Sequence, residues 1–280
     1  MKVRTITGAV ITALFAVPCI FSEYIVYPIV IALLCVMAVF EMLRVLGLEK
    51  SIGVSLPSYL LAAALPLGTY FAVGTFGGMK SYFSLLALAM AFYLLYLLFF
   101  AVIRRAKLPF SRVSGAFTAI AYILASFTAL AGLRYIENGV YVFVIVFISS
   151  CVCDVFAYFT GYLFGKHKLI PEISPKKTVE GAVGGTVFAL LALLLYGFIL
   201  SKAGAAGVSV NYPILAVYGL VLAIVGQFGD LIASLIKREF GVKDYGRLFP
   251  GHGGVLDRFD SMMPISLVLM FLSFALPSVF

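Results

Sequence analysis

The sequence predicts an all-α, polytopic integral membrane protein of about nine transmembrane helices, and three observations carry that reading. Of its 280 residues, 63% are hydrophobic and 11% charged, where a soluble domain lies nearer half apolar and a quarter charged. Mean hydropathy is +1.13. Runs such as 84–103 and 188–200 are almost free of charge and approach or reach the length that crosses a hydrocarbon core. The third observation is how charge sorts between the runs. With spans at roughly 6–22, 24–41, 57–74, 82–103, 113–132, 140–164, 180–200, 212–235 and 261–279, alternate connections place seventeen of the twenty Lys and Arg on one side. Only Lys80, Arg134 and Lys202 fall on the other. That asymmetry predicts a cytoplasmic N-terminus and an external C-terminus. It also assigns the net charge of +8 to topology, so no nucleic-acid partner is expected.

The chain reads as a single membrane domain (1–280), with five N-terminal helices in 1–132 and a catalytic half in 133–280. The first run follows Lys2 and Arg4 and resembles a signal peptide, but no small-x-small cleavage pattern stands out and a second run comes at once. It is read as a retained span. The first five spans read as apolar and small polar scaffold. Arg104, Arg105 and Lys107 at the inner end of the fourth are a topology anchor or a weak attraction for anionic lipid. Cys19, Cys35, Cys151 and Cys153 lie inside spans without zinc-site spacing and are expected to be reduced core residues.

Function concentrates in the second half. Asp154 and Asp230 fall within apolar spans, where an ionised carboxylate is costly and is by default a functional candidate. In the sixth span Asp154, Tyr158, Gly161 and Gly165 share one helical face, polar and then bare, as a wall against a ligand or another helix would be. The basic loop 165–180 comes next. Its Gly165-Lys166 lacks P-loop spacing. Ser174-Pro175 is expected to start the seventh helix, Ser as cap and Pro at the first position, leaving Lys176 and Lys177 at the positive end of a helix dipole. Gly181 and Gly185 form a small-xxx-small face for tight packing.

In the eighth span Asp230, Ser234 and Lys237 are spaced i, i+4, i+7, so acid, hydroxyl and cation lie on one stripe. It runs into the loop 236–260. From Asp230 to Asp260 there are eleven acidic, basic or histidine side chains, five of them the cations Lys237, Arg238, Lys243, Arg247 and Arg258. Five cations, several carboxylates and a flexible Gly251-His252-Gly253-Gly254 turn suit a triphosphate held with a divalent metal, the glycines offering backbone N–H groups to phosphate oxygens. Asp257 and Asp260, at i and i+3, are expected to begin the final helix on a common face, where first-turn capping is the plainer alternative.

The pattern Ser234-x2-Lys237-Arg238-x4-Lys243-Asp244-x-Gly246-x2-Phe249-Pro250-x-His252-Gly253-Gly254-x2-Asp257-Arg258-x-Asp260 closely resembles the signature of the phosphatidate cytidylyltransferases, or CDP-diacylglycerol synthases. Asp154-x2-Ala157-Tyr158-x2-Gly161 and Ser174-Pro175-Lys176-Lys177-x2-Glu180-Gly181 are similar to that family's further motifs. The resemblance implies a homodimeric enzyme of the bacterial inner membrane that converts CTP and phosphatidic acid to CDP-diacylglycerol and pyrophosphate with magnesium. It implies acids at Asp230 and Asp257 holding the metal, with a monovalent cation such as K+ admissible beside it. Asp260 is a third candidate ligand.

On that reading Lys237, Arg238, Lys243 and Arg258 neutralise the triphosphate and the departing pyrophosphate, and His252 donates a hydrogen bond to a phosphate. Asp154, Tyr158, Ser174, Ser234, Gly253 and Gly254 contact substrate, and Lys176 and Lys177 grip either the lipid phosphate or the nucleotide. Two rivals are a CTP-dependent lipid (polyprenol) kinase, which attacks the γ-phosphorus, and an ion-coupled transporter, which would show internal repeats or paired broken helices.

Overall fold

Within lipid a peptide group has no water to bond, so long apolar runs must satisfy their own backbone as helices. In the computed structural model, which describes residues 24–75, 78–104, 109–203, 209–249, 251 and 253–280, they do so. The chain forms two units. One comprises the described residues up to Tyr135 together with Phe240–Arg258; the other comprises Ile136–Glu239 and Phe259–Phe280. The charged loop therefore belongs with the N-terminal helices rather than with the helices on either side of it in sequence.

The first unit contains α1 (Val26–Val45), α2 (Ile52–Thr75), α3 (Met79–Ile103) and α4 (Phe110–Gly132), the last closed by a 3-10 turn at Leu133–Tyr135. α1, α2 and α4 pack on one another through fully buried Leu43, Ile120, Ile123 and Leu124, and Tyr27 in α1 donates to the Leu130 carbonyl at 2.8 Å. α2 carries Pro57 and Pro66 inside the helix. A proline leaves the carbonyl four residues earlier without its helical donor. For Pro57 that carbonyl is Gly53, and the Tyr96 hydroxyl of α3 supplies the bond at 2.8 Å.

The second unit holds one long helix broken by a π turn: α5 (Gly139–Phe147), the turn Ile148–Val152, and α6 (Cys153–Phe164). Beyond it come a hairpin of β1 (Lys168–Ile170) and β2 (Ser174–Thr178), then α7 (Val179–Lys202), α8 (Tyr212–Glu239) and, after the single turn α9 (Leu256–Phe259), whose first three residues belong to the first unit, α10 (Met262–Ala275). The expected small-residue face is present. A Cβ on Gly181 would lie 2.7 Å from the Ala157 carbonyl oxygen, and one on Gly185 would lie 2.7 Å from that of Cys153, so α6 and α7 touch backbone to backbone.

Among the described residues seven helices are long and apolar enough to cross a membrane, and each coincides with an expected span. The span expected at 6–22 lies outside the described residues, so the full nine are not established. The last expected span holds a helix of 14 residues, about 21 Å at the usual rise. An extended tail completes the chain. The Val279 carbonyl accepts from Asn211 N–H at 2.8 Å and the Phe280 carbonyl from Asn138 Nδ2 at 2.8 Å, which ties the tail to the starts of α8 and α5. Cys35 and Cys153 are buried, Cys151 is exposed, and all three are free thiols.

Candidate active site

The hairpin changes how the first pair of lysines is presented. Ser174–Thr178 is a strand, antiparallel to Lys168–Ile170 with Lys168 opposite Thr178 and Ile170 opposite Ser174. The helix does not start at Ser174-Pro175. It starts at Val179, capped by Thr178, whose hydroxyl accepts from Gly181 N–H at 3.1 Å. Thr178 is a good cap and a good strand former, and His167 closes the strand pair onto α7. Val179 N–H bonds the His167 carbonyl at 2.9 Å, and the His167 ring lies 2.6 Å from Glu180. Lys176 and Lys177 thus project from a strand rather than flanking a helix dipole.

Lys177 meets the acid of the eighth expected span. Its Nζ lies 2.6 Å from Asp230 Oδ2 and 3.5 Å from the Gln227 carbonyl. The expected stripe on α8 is present: Ser234 Oγ lies 3.5 Å from Asp230 Oδ1, at the edge of hydrogen bonding, and Lys237 continues it, half-buried. Arg238 is exposed, with Nε 3.4 Å from the Ile173 carbonyl at the hairpin turn.

Asp154 is the second residue of α6, just after the π turn, an insertion frequent at functional sites; the extra residue rotates the faces of α6 relative to α5. The rings of Tyr158 and Tyr162 stack one turn apart, 6.3 Å between centroids. Asp154, Tyr158, Lys168, Lys176, Lys177 and Asp230 line one cavity of about 510 Å³. Ser174 pairs with Ile170 in the hairpin and is not among the lining residues. Of the shared face on α6, Asp154 and Tyr158 look into the cavity while Gly161 and Gly165 also abut Thr178. The face is a wall for a ligand and for a helix at once.

Asp260 sits at the break before α10. Its Oδ1 accepts from Ser261 N–H at 2.9 Å. Ser261 Oγ in turn lies 3.5 Å from Asp154 Oδ2. Burial first, then the charges of Asp230 and Asp154, push the Asp260 carboxyl up to about 7. Three carboxylates therefore feel one another in this unit, and hard oxygen donors carrying excess negative charge suit a divalent cation such as magnesium. Among the described residues no three such side chains are grouped to enclose an ion by themselves. Magnesium binds through one or two carboxylates and completes its shell with water and substrate phosphates.

In the other unit Asp257 does not begin a continuous final helix with Asp260. It lies in the separate turn α9, and the helix restarts at Met262. Asp257 is 8% exposed, and its Oδ2 accepts from Tyr245 N–H at 2.8 Å and from Gly254 N–H at 2.9 Å. Gly251 and Gly253 have φ of +75° and +85°, the left-handed backbone that only glycine adopts freely. Lys243 and Arg258 are exposed. His252, expected to donate to a phosphate, lies outside the described residues.

Sequence reasoning misses three residues that organise these parts. Gln227 Nε2 donates to Ala182 carbonyl at 3.1 Å and Thr186 Oγ1 at 2.9 Å, fastening α8 to α7 at the cavity wall. Glu41 reads as part of an apolar span and Arg44 as a cytoplasmic charge, but α1 runs on to Val45, and Glu41 is 4% exposed. Its isolation in an apolar run is the available signal.

A family model for the cytidylyltransferase family matches residues 2–276 of the chain. A phosphatidate cytidylyltransferase of Staphylococcus haemolyticus (strain JCSC1435) is 35% identical over 269 residues, covering 94% of this chain and 95% of that protein. One of Staphylococcus aureus (strain COL) is 34% identical over 276 residues, with the same coverage of both chains.

Proposed function

The chain belongs to the cytidylyltransferase family, and on that premise we propose that it is a phosphatidate cytidylyltransferase, joining CTP and phosphatidic acid into CDP-diacylglycerol and pyrophosphate. The observation that carries the reading is end-to-end likeness to relatives of that name, with Asp154, Asp230, Lys176 and Lys177 gathered on one cavity.

A phosphatidate phosphate oxygen is anionic at neutral pH, so little deprotonation precedes its attack on the α-phosphorus. A new P–O bond forms there, the α–β anhydride breaks, and pyrophosphate leaves with its electron pair. Such a step asks for positioning and charge neutralisation. Lys168, Lys176 and Lys177 supply positive charge around the cavity, and Lys237 supplies it beside the acids. Lys243, Arg258 and Gly253 serve the triphosphate from the charged loop; the Gly254 N–H, expected there too, is taken by Asp257 Oδ2 at 2.9 Å. Asp230 and Asp260 would hold magnesium, which would supply charge neutralisation for the phosphates. Asp257 is the acid expected with Asp230 at the metal, and its Asn variant tests that role separately.

The active-site end faces the cytoplasm in this proposal. The support is charge: hairpin and Arg238 meet at one end of the second unit, where the lysines gather, while its far end carries Asn138 and Asn211.

The test is which phosphorus enters lipid. With α-labelled CTP, label should pass into the lipid fraction only when phosphatidate is present. With γ-labelled CTP it should leave as pyrophosphate. Inorganic pyrophosphatase should draw the reaction forward, because exchanging one phosphoanhydride for another is nearly balanced. Label from the γ position in lipid, with CDP released, would replace the proposal with a lipid kinase; ion flux without CTP turnover would replace it with a transporter.

A further inference from the structure

Glu41 lies on the last turns of α1, and both of its oxygens are used. Oε1 accepts Val255 N–H at 3.0 Å and Oε2 accepts Leu256 N–H at 3.0 Å. These are N–H groups at the start of α9, which no helical carbonyl can take. Three residues on, the Arg44 guanidinium donates to the Tyr245 carbonyl at 2.6 Å. Asp257 grips Tyr245 N–H and Gly254 N–H from within the loop. The backbone at 245 and 254–256 is therefore held by two carboxylates and a guanidinium.

Two glycines make room for one of these groups. A Cβ on Gly246 or on Gly254 would overlap Glu41 Oε1 outright. A buried carboxylate is costly unless hydrogen-bonded, and a leucine would fill the same space at the end of an apolar helix without that cost. What leucine cannot do is fix the register of a loop through its N–H groups.

We propose that Glu41, assisted by Arg44, is the positioning residue of the loop that presents Lys243, Gly253 and Arg258 to the triphosphate. The inference rests on the cytidylyltransferase reading for its catalytic part and on the hydrogen bonds alone for its structural part. Glu41→Gln is the sharper variant, because it keeps the volume and turns one acceptor into a donor facing an N–H. Glu41→Ala, Gly254→Ala and their double mutant complete a cycle.

The full-length enzyme is purified in detergent. It is measured for kcat, for KM toward CTP and phosphatidate, for thermal midpoint, and for amide exchange in peptides covering 253–258. Glu41→Gln is expected to lower kcat at least tenfold and leave KM for phosphatidate within about twofold. It should melt close to the parent and speed exchange at 255–256 at least tenfold. Gly254→Ala should be as harmful as Glu41→Ala, and the double mutant no worse than either, since the methyl then enters the space the carboxylate left.

Parental kcat in Glu41→Gln overturns the proposal. So does unchanged exchange, or a double mutant whose losses multiply. A parent enzyme that turns over no CTP with phosphatidate would overturn the assigned reaction instead, and the exchange comparison would still decide whether Glu41 holds the loop.

Discussion

Lys177 and Asp230 show how one contact joins two parts of the site. Their side chains are 26% and 31% exposed and 2.6 Å apart, so as a plain ion pair they add little to stability, on the order of 1 kcal/mol or less. Their value lies in aiming an ammonium and a carboxylate into the same cavity. Asp230→Asn and Lys177→Met are each expected to lower kcat/KM by about 10²–10³, the range for losing one electrostatic group at a reacting centre. The double mutant should be hardly worse than either single, because residues acting as a unit are not additive. Steady-state kinetics with saturating magnesium check this, and losses that multiply would show two independent roles. The acids themselves are legible in sequence, since a carboxylate in an apolar run is rare enough to notice. Their pairing with Lys177 is not, because the chain between the two passes through the end of a hairpin and two helices before the contact closes.

At the scale of elements, the α6–α7 crossing depends on backbone contact. Gly185→Ala would set a methyl 2.7 Å from the Cys153 carbonyl, and backbone cannot step aside. Gly115→Ala, on α4, would meet nothing within 4 Å. The first is expected to destabilise by about 1–3 kcal/mol, the usual cost of overpacking, and the second by less. Thermal midpoints in detergent should fall in that order, and equal midpoints would mean the helices separate without cost. This crossing is readable from Gly181 and Gly185 because spacing alone specifies it. The hairpin is not, because Ser174-Pro175 satisfies the local chemistry of a helix start. What overrides it is pairing with Lys168–Ile170 and the Thr178 cap, neither of which is a property of the segment itself. Glu41 escapes for a related reason: a single acid at the end of an apolar run looks like a boundary marker until Val255 and Leu256 come to meet it.

For the whole molecule, the charge sorting predicts an orientation that can be tested directly. In a background lacking Cys19 and Cys151, cysteines at Lys168 and Arg247 should resist a membrane-impermeant maleimide on intact cells and react after permeabilisation, while one at Lys202 should react at once. The reverse pattern would invert the topology. The division into units has a further consequence, in time rather than in space. Val255 lies 214 residues after Glu41, and at typical synthesis rates of 5–20 residues per second that separation is roughly 10–40 s of translation. Through that interval α1 sits in the bilayer with its carboxylate waiting for its partners. A chain stalled anywhere before residue 240 would be inserted and helical yet chemically silent, so a newborn molecule stays inert until nearly all of it has been made.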